Sequence, residues 1–343
     1  MSVKIRQIAA VNNLVQLLDS ELEALPPSHL RVRVMFSGVS AGTELLCLSF
    51  PQKPGDPPAP LGYQAVGEVE EVASGMDGTF AKGDVVACYG GPYVKHASHL
   101  NVPKNLAVKL PAGCDPVEAS YCALGTIAMQ AFRNGRLSLG ETAGVLGLGV
   151  LGNLTAQIAQ AAGCRTVGLD LLELRRNIGR ECGIEVTDSA EAFSARIKAA
   201  SDGNGADTIF LVVTKCNDET LAGAVELLRL QGKVVIVGTS DAKLPREPLF
   251  YKEASIMVSR AGGPGRYDGD YEFGGHDYPY AFARWTEGRN LAEFIRLLST
   301  GSVKVRPFIS DIMSPADAPE VYHALQNDPG KHVGVVYDWS KLA

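Results

Sequence analysis

Residues 142–162, TAGVLGLGVLGNLTAQIAQAA, are the stretch that decides the fold of this chain. They begin with a short apolar run, Ala143–Leu146, which is typical of a buried strand. Three glycines follow at the spacing G-x-G-x-x-G in Gly147–Gly152, and Asn153–Ala162 then has helical length and spacing. A strand, a tight turn and a helix in this order form the unit from which doubly wound parallel sheets are built.

The glycine spacing also predicts a ligand. Gly147 permits the tight turn, Gly149 lets the backbone approach a pyrophosphate without a Cβ in the way, and Gly152 lets the helix lie close to the sheet. The N-terminus of the helix then faces the anion. The next predicted strand ends at Asp170, 18 residues after Gly152, where the dinucleotide fingerprint expects an acidic side chain. We therefore predict a dinucleotide site, the alternative being a packing turn and an acidic strand-end cap without a ligand.

A set of residues follows from this prediction as the expected contacts of the dinucleotide. They are Gly147, Gly149, Val150, Leu151, Gly152, Asp170, Arg175, Thr126, Val213, Gly238 and Thr239. Asp170 can accept hydrogen bonds from both ribose hydroxyls and would repel a 2′-phosphate, which favours NAD(H) over NADP(H). Arg175 and Arg176 qualify this preference, because one of them could pair with a 2′-phosphate; alternatively one covers the adenine face and the other is solvated. For Thr239 an ordinary strand-to-loop turn is an equal alternative.

The pattern of predicted secondary structure changes near residue 118 and divides the chain into two parts. Before it, short strands with Gly and Pro punctuation, such as Arg31–Phe36 and Gly67–Val72, predict a small β-rich domain with a proline-rich loop at Ser49–Pro60. After it, apolar runs alternate with helical stretches, which predicts an α/β domain with a doubly wound parallel sheet. The later predicted strands are Ala143–Leu146, Thr166–Leu169, Asp207–Val213, Lys233–Val237, Ser255–Val258, Val303–Ile309 and Val333–Tyr337. The later predicted helices are Asn153–Ala162, Leu172–Cys182, Glu219–Leu230 and Asn290–Ser299.

Composition narrows the class of protein. With 343 residues the chain is long enough for about two domains. A formal net charge of −6 without a basic run argues against nucleic-acid binding. The charge-free stretch Thr142–Cys164 contains five glycines and three amide side chains, so we do not expect a membrane span. The seven scattered cysteines lack a C-x-x-C pair and predict reduced thiols in a cytoplasmic protein.

Several motifs together resemble the medium-chain dehydrogenase/reductase superfamily over essentially the whole chain. They are Gly38–Glu44, Pro60–Val69, Gly83–Val86, the glycine turn and Asp170. The resemblance implies a split, GroES-like catalytic domain formed by residues 1–118 and 261–343, and a Rossmann dinucleotide-binding domain at residues 119–260. It also implies a homodimer or a homotetramer.

A narrower resemblance concerns three later motifs, Gly263–Asp268, Asp277–Pro279 and Arg284–Asn290. They look like the dehydrogenase half of bacterial bi-domain oxidoreductases, whose second, sugar-oxidoreductase-like half is absent here. The segment Arg266–Asn290 is rich in Arg, Asp, Tyr, His and Trp, which suits a hydroxyl-rich or acidic compound. An exposed loop or an oligomer contact is an equally good interpretation of the same composition.

The chain departs from the zinc-dependent members of the superfamily. Their cysteine motif and their His-Glu motif correspond here to Ser40-Ala41 and Tyr63-Gln64, and Ala123 stands where a third ligand can occur. We therefore expect no metal. His96 and His99 are three residues apart on a predicted strand, Tyr93–Asn101, which would put their imidazoles on opposite faces.

Without zinc, a positioned side chain has to exchange the proton of an alcohol or ketone oxygen. The motif positions make Tyr63, Thr43, Glu44 and His96 the candidate catalytic residues, with Gln64 lining the same cavity. Tyr63 could equally be an aromatic plug that fills the space of the missing ligands, and Thr43 and Glu44 could simply cap a turn.

Our leading hypothesis is an NAD(H)-dependent, zinc-independent oxidoreductase that transfers hydride between nicotinamide and a small polar alcohol or ketone, such as a sugar derivative. A first alternative is a quinone or enone reductase, which in other zinc-lacking relatives usually takes NADPH and has an altered glycine turn. A second alternative is an NAD(H)-binding sensor with little activity.

Overall fold

A computed structural model of the chain describes residues 2–76, 78–328 and 332–342. Among these residues the strands, in chain order, are β1 (Val3–Val11), β2 (Leu14–Leu22), β3 (His29–Gly38), β4 (Ala59–Pro60), β5 (Gln64–Val72), β6 (Val85–Tyr89), β7 (His99–Pro103), β8 (Ala107–Lys109), β9 (Thr142–Leu146), β10 (Arg165–Leu169), β11 (Glu185–Thr187), β12 (Ala206–Leu211), β13 (Leu228–Val237), β14 (Ser255–Ser259), β15 (Ile309–Met313) and β16 (Gly334–Asp338). The helices are α1 (Ala41–Ser49), α2 (Pro116–Ala119), α3 (Cys122–Gly135), α4 (Val150–Ala161), α5 (Glu173–Glu181), α6 (Ala190–Ala200), α7 (Asp218–Glu226), α8 (Arg246–Lys252), α9 (Gly269–Glu272), α10 (Glu287–Ser299) and α11 (Ala318–Asn327). In this part of the chain no helix combines the length and the apolar character that a membrane crossing requires.

The chain divides into two compact units. The first contains Met1–Ala123, Gly262–Thr300 and Phe308–Ala343, and the second contains Leu124–Ala261 and Gly301–Pro307. The first junction therefore lies a few residues later than the expected boundary at residues 118 and 119.

The segment Gly301–Pro307 belongs to the second unit, although the sequence placed it with the catalytic domain. Its Lys304 N–H donates to Gln157 Oε1 over 2.7 Å, and Gln157 Nε2 donates to the Lys304 carbonyl over 2.9 Å. The backbone of Lys304 is thus bound by a side chain of α4 and not by a neighbouring strand. The predicted strand Val303–Ile309 is therefore wrong. A 3-10 turn at Arg306–Phe308 follows instead, and β15 starts only at Ile309.

The first unit is β-rich. Its larger sheet has the strand order β15-β16-β3-β5-β6-β8, with β7 also paired to β3, and a smaller sheet has the order β2-β1-β4. Among the described residues of these sheets, β15 and β16 pair in parallel, and the other neighbouring strands pair antiparallel. Successive side chains of β3 and β5 point to opposite faces of the sheet, and Leu30, Val32 and Val69 are buried in the core.

The second unit contains a parallel sheet with the strand order β11-β10-β9-β12-β13-β14. This is the doubly wound order, in which successive strands are first added on one side of β9 and then, from β12 onward, on its other side. Gly144 in β9 leaves room for the ends of the Phe193 and Ile209 side chains, each of which would lie 2.8 Å from a Cβ at this position. The predicted α/β fold, a GroES-like β-rich domain with a Rossmann doubly wound domain, is confirmed.

One predicted helix of this unit runs too far. The pattern predicted Glu219–Leu230, whereas α7 ends at Glu226 and β13 begins at Leu228. Leu228 pairs with Ala206 of β12, so sheet pairing overrides the helical preference of these leucines.

Candidate functional site

The glycine turn of the second unit follows β9 directly. Gly147 has a φ of +89°, and a Cβ there would lie 2.3 Å from the Val212 carbonyl oxygen. A Cβ at Gly152 would lie 1.8 Å from the Gly147 carbonyl oxygen. These two glycines are therefore required by the turn itself. Gly149 differs, because the nearest atom to its Cβ position is Arg175 Nη1 at 3.9 Å, so its backbone is open to a ligand.

The N-terminus of α4 lies at this opening. Gly149 is its N-cap and makes no side-chain cap, and Val150 and Leu151 are its first residues. Backbone N–H groups at such a position, together with the helix dipole, form an anion site. The turn therefore fits the pyrophosphate of a dinucleotide.

Asp170 lies beside the turn with a nearly buried carboxylate, 6% exposed. Its Oδ2 accepts from the Leu148 N–H over 2.8 Å, and its Oδ1 accepts from the Leu172 N–H over 2.9 Å. Each oxygen keeps a second lone pair, so ribose hydroxyls remain possible partners. Because the same carboxylate also holds the turn, Asp170 contributes to the fold as well as to a ligand site.

The two arginines after Asp170 have different positions. Arg176 Nη1 donates to the Asp170 and Leu171 carbonyls, over 3.0 and 2.7 Å, and so closes the strand end. Arg175 Nη1 lies 3.6 Å from Asp170 Oδ2 and borders the open side of Gly149. Arg175 is therefore the arginine that lies next to the predicted dinucleotide site.

The remaining predicted dinucleotide contacts differ in how far they are exposed to solvent. Val213 follows β12 and packs near Gly147, and Gly238 and Thr239 are exposed after β13. All three lie at the carboxyl edge of the sheet, where ligands of such folds bind. Thr126 is fully buried in α3, and its contact with the dinucleotide stays a prediction.

In the first unit, Tyr63 ends the turn before β5. Its phenol donates to Ser40 Oγ over 2.6 Å, and the Thr43 hydroxyl lies within hydrogen-bond range of the same phenol. The residue keeps part of its surface exposed. Enclosure of the phenol end raises the pKa of Tyr63 to about 12, although the Ser40 and Thr43 hydrogen bonds lower it. Tyr63 is therefore a protonated donor at neutral pH.

Glu44 is buried beneath this group, in α1. Its Oε1 accepts from the Ser40 N–H over 2.7 Å, and its Oε2 contacts His96 Nε2 at 3.1 Å and accepts from the Tyr322 phenol. Burial alone would raise the pKa of Glu44, but His96, Tyr322 and the Ser40 N–H together lower it. The carboxylate thus fixes the start of α1 rather than facing solvent.

His96 is fully buried and contacts Glu44 on one side and Ser37 Oγ, at 2.8 Å, on the other. Gly62, with a φ of +85°, leaves room for this imidazole, because a Cβ there would lie 2.7 Å from the ring. His96 precedes β7, so the prediction of a continuous strand Tyr93–Asn101 is wrong. The backbone instead turns inward, where the His96 N–H donates to the Leu61 carbonyl over 2.8 Å.

The four candidate catalytic residues therefore form two layers. Tyr63 and Thr43 have exposed surface, whereas Glu44 and His96 have essentially none, so the latter two hold their neighbours in place. Ser40 connects the layers, since its hydroxyl accepts from Tyr63 and its N–H donates to Glu44. No sequence signal pointed to Ser40 as the partner of Tyr63.

The residues at the expected zinc positions do not fit a zinc ion. Gln64 Nε2 donates to the Gly38 carbonyl, and its Oε1 accepts from the Ala123 N–H, each over 3.1 Å. Within the described ranges no three His, Cys, Asp or Glu side chains come together as a metal site. Glu44 and His96 are two such groups, but their polar atoms are already bound to other side chains.

The chain is similar to several known dehydrogenases. The family model described as "Zinc-binding dehydrogenase" matches residues 150–273. The D-guloside 3-dehydrogenase of Escherichia coli K12 is 25% identical over 347 residues, covering 92% of this chain and 94% of the relative. The sorbitol dehydrogenase of Halalkalibacterium halodurans is 25% identical over 283 residues, covering 72% of this chain and 80% of the relative.

Solved structures share the complete fold. Galactitol-1-phosphate dehydrogenase of Escherichia coli has a TM-score of 0.78 at 18% identity and covers 98% of this chain and 100% of its own. An Escherichia coli CFT073 alcohol dehydrogenase complexed with NADH has a TM-score of 0.77 at 16% identity, with 98% and 99% covered. A Sinorhizobium meliloti 1021 dehydrogenase bound to NADP has a TM-score of 0.75 at 20% identity, with 98% and 99% covered.

A β-rich unit and a doubly wound unit with a glycine turn form the fold that this chain shares with these dehydrogenases. Within that class, the family-model match and the dehydrogenase relatives support the medium-chain dehydrogenase/reductase superfamily.

Proposed function

We propose that the chain is an NAD(H)-dependent, zinc-independent oxidoreductase that interconverts a polar alcohol and its ketone, with a sugar derivative as substrate. The observation that carries this proposal is the hydrogen bond from the Tyr63 phenol to Ser40, at a position where the motif resemblance implies a zinc ligand in other members. The same chain keeps the complete glycine turn, so it retains the dinucleotide half of the reaction while its metal half is replaced.

The residues of the second unit fit the dinucleotide. The open Gly149 backbone and the N-terminus of α4 would hold the pyrophosphate, and Asp170 would accept from the adenosine ribose. When bound, the nicotinamide supplies or accepts the hydride. Asp170 favours NAD(H), because its carboxylate disfavours a 2′-phosphate at the same place.

Tyr63 handles the proton in this proposal. Because its pKa is raised to about 12, the phenol is protonated at neutral pH and can donate to the oxygen of a ketone as negative charge develops there. Ser40 and Thr43 orient the phenol, and Glu44 and His96 hold Ser40 from below. This arrangement favours carbonyl reduction, since oxidation would need a phenolate that the site disfavours.

The substrate class rests on the relatives and on one segment of the first unit. D-guloside 3-dehydrogenase and sorbitol dehydrogenase are named for sugar and polyol substrates. In the segment Arg266–Asn290, Tyr280 and Phe282 are exposed, and the Arg284 guanidinium lies 3.7 Å from the Trp285 ring centroid. Exposed aromatic and arginine groups suit a hydroxyl-rich or acidic compound.

A substrate panel tests the proposal. Keto-sugars and quinones are each supplied with NADH or NADPH, and dinucleotide oxidation is followed. We expect turnover of keto-sugars with NADH. Turnover of quinones with NADPH would instead support the reductase alternative, and tight NADH binding without any turnover would support the sensor.

Zinc independence needs its own measurement. Elemental analysis of purified protein should find no stoichiometric metal, and prolonged incubation with a chelator should leave turnover unchanged. One zinc per chain, lost together with activity, would overturn this part of the proposal.

The edge of the second unit supports the predicted homodimer or homotetramer. The terminal strand β14 exposes Met257 and Val258, and α8 exposes Phe250 and Tyr251. An apolar edge strand is a natural place for a second copy to pair. Light scattering should show an oligomer that Val258→Lys reduces in mass; an unchanged mass would assign the contact elsewhere.

Cytoplasmic location stays a prediction from the cysteine pattern.

A further inference from the structure

Two residues that have no role in the proposed function, Arg266 and Glu287, meet in one buried cluster of the first unit. Arg266 belongs to Gly263–Asp268, and Glu287 is the first residue of α10. Gly265 and Gly288 allow the close approach. A Cβ at Gly265 would lie 2.6 Å from the Tyr271 ring, and one at Gly288 would lie 2.4 Å from the Asn105 carbonyl oxygen.

Arg266 connects a carboxylate to the backbone. Its Nη1 pairs with Glu272 Oε1, which also accepts from the Tyr267 N–H over 3.0 Å. Its Nη2 donates to the Gly91 carbonyl over 2.5 Å. The Arg266 and Glu272 side chains are only 14% and 6% exposed, so this bridge is shielded from water.

Glu287 adds a second carboxyl to the cluster. The residue is fully buried, and neither of its carboxyl oxygens makes a hydrogen bond of good geometry. It faces the Tyr89 phenol, the Glu272 carboxyl and the Arg266 guanidinium. Two ionised carboxylates and one guanidinium would leave a net negative charge in a buried place, whereas one retained proton makes the cluster neutral.

The Arg266 bridge ends next to Tyr63. The Gly90 N–H donates to the Tyr63 carbonyl over 2.9 Å, and a Cβ at Gly91 would lie 3.8 Å from Tyr63 Cβ. Tyr89 of the same segment pairs with Gln64 in β5 and β6. The segment Tyr89–Gly91 therefore joins the buried cluster to the backbone that carries the phenol.

We propose that Glu272 and Glu287 together retain one proton, and that the resulting neutral cluster keeps Arg266 on the Gly91 carbonyl and so positions Tyr63. The proposal makes Arg266 and Glu287 positioning residues, and its catalytic consequence rests on the function proposed above for Tyr63. When the proton leaves, it passes to hydroxide in solvent and no other bond changes. The second carboxylate then attracts Arg266 away from Gly91.

The electrostatic surroundings agree with a retained proton. Burial, opposed by Arg266 and reinforced by Glu272, raises the pKa of Glu287 to about 8. The ionisable groups that face the cluster from neighbouring elements are Tyr89, Tyr93 and Tyr271. Burial raises the pKa of each of these phenols, so none of them supplies a negative charge at neutral pH.

The test compares the full chain with Glu287→Gln and with a matched control, Glu293→Gln, on the same helix. Glu293 is partly exposed and pairs with Arg296. Infrared difference spectra between neutral and alkaline pH report the carbonyl stretch of a protonated carboxylic acid. Hydrogen exchange of the Gly90 amide reports the hold on Tyr63, and the pH profile of kcat reports its use.

We expect the protein and the Glu293→Gln control to lose the acid band above a pH of about 8, while Gly90 exchange rises about tenfold beyond its intrinsic increase. Glu287→Gln should lack both changes, and its kcat should lose the alkaline decline. If Glu287→Gln does not fold, Glu272→Gln also leaves one carboxylate with one guanidinium and should likewise lack the band.

An absent band in the unaltered protein would overturn the proposal, and so would a band whose loss leaves Gly90 exchange unchanged. A protein that turns over no substrate would count against the proposed function alone, since the infrared and exchange measurements do not depend on turnover.

Discussion

The glycine turn and the Tyr63 group are two sites of one chain that are built by different means. The turn uses consecutive backbone from Gly147 to Gly152, and its conformation follows from residues that lack a Cβ. The Tyr63 group consists of Tyr63 and the hydrogen-bonded side chains around Glu44. Its members Ser40, His96 and Tyr322 come from distant parts of the chain. A site made of backbone can therefore be recognised in sequence, whereas a site made of long-range side-chain contacts needs the structure.

The two sites also differ in what a substitution would disturb. At the turn, added atoms collide with backbone that cannot move away. Around Tyr63, removed atoms leave buried polar partners without a hydrogen bond. Each substitution below therefore changes one of the two sites, and its effect is followed by ligand binding, turnover or stability.

The largest effect on dinucleotide binding is expected for Gly152→Ala. The new Cβ would lie 1.8 Å from the Gly147 carbonyl oxygen, so the turn has to open. We expect NADH affinity to fall about 100-fold or more, equivalent to about 3 kcal/mol, together with a lower Tm. Isothermal titration and thermal unfolding measure both quantities.

Gly149→Ala is the matched control for that substitution. Its Cβ would meet nothing closer than 3.9 Å, so stability should change by no more than about 1 kcal/mol. NADH affinity should still fall, because the methyl group occupies the opening. Unchanged affinity in this variant would show that the pyrophosphate does not bind at this turn.

Tyr63→Phe should have the largest effect on turnover, while binding stays unchanged. Loss of a proton donor typically lowers kcat by about 10²–10⁴-fold. NADH affinity should stay the same, since the glycine turn is untouched. Tyr267→Phe is a suitable control because that side chain is exposed. A kcat within a few-fold of the unaltered protein would make Tyr63 the aromatic plug that the sequence left open as an alternative.

The fold was largely predictable because its signals are local. The apolar run before Gly147, the glycine spacing and Asp170 lie within one stretch of chain, and they determine the sheet and its reversal. The errors arose where a distant partner decides the local structure. Gln157 holds the backbone of Lys304, and Ala206 pairs with Leu228, and neither contact leaves a pattern in the segment it changes.

The candidate site was predictable only in part for the same reason. Motif positions led to Tyr63 and Thr43, which share a hydrogen-bonded group with Ser40. They also led to His96, but burial is a property of the packed unit, and a sequence pattern could not show that His96 lies behind Ser37 and Glu44. Tyr322 has no sequence signal of its own, because a tyrosine on an amphipathic helix normally belongs to the core.

Glu44→Gln should have a moderate effect that depends on pH. The amide cannot accept from the Ser40 N–H, Tyr322 and His96 as the carboxylate does, so unfolding free energy should fall by about 2 kcal/mol at neutral pH. Because the pKa of Glu44 is lowered, its stabilisation is present above the ordinary value of 4.5 and is lost as pH falls through the folded value.

Urea unfolding at several pH values measures this dependence. The difference between Glu44→Gln and the unaltered protein should shrink on acidification. A constant difference across the acid range would mean that the ionised carboxylate is not what stabilises this layer.

Asp170→Ala is expected to have the smallest effect. The side chain contacts the turn and borders the ligand site, so its removal should change both stability and ligand preference. Its loss leaves the Leu148 N–H without its carboxylate partner, which should lower Tm slightly. It also removes the charge that disfavours a 2′-phosphate, while Arg175 remains beside the opening. The ratio of NADPH to NADH dissociation constants should therefore fall about tenfold, equivalent to about 1.4 kcal/mol.

Arg175→Ala separates these contributions, since it should move the same ratio in the opposite direction by removing the nearby cation. An unchanged ratio in Asp170→Ala, with Tm lowered, would assign Asp170 to the turn alone. In that case the side-chain part of the glycine-turn site would be as hard to read from sequence as the Tyr63 group, and only its backbone part would differ.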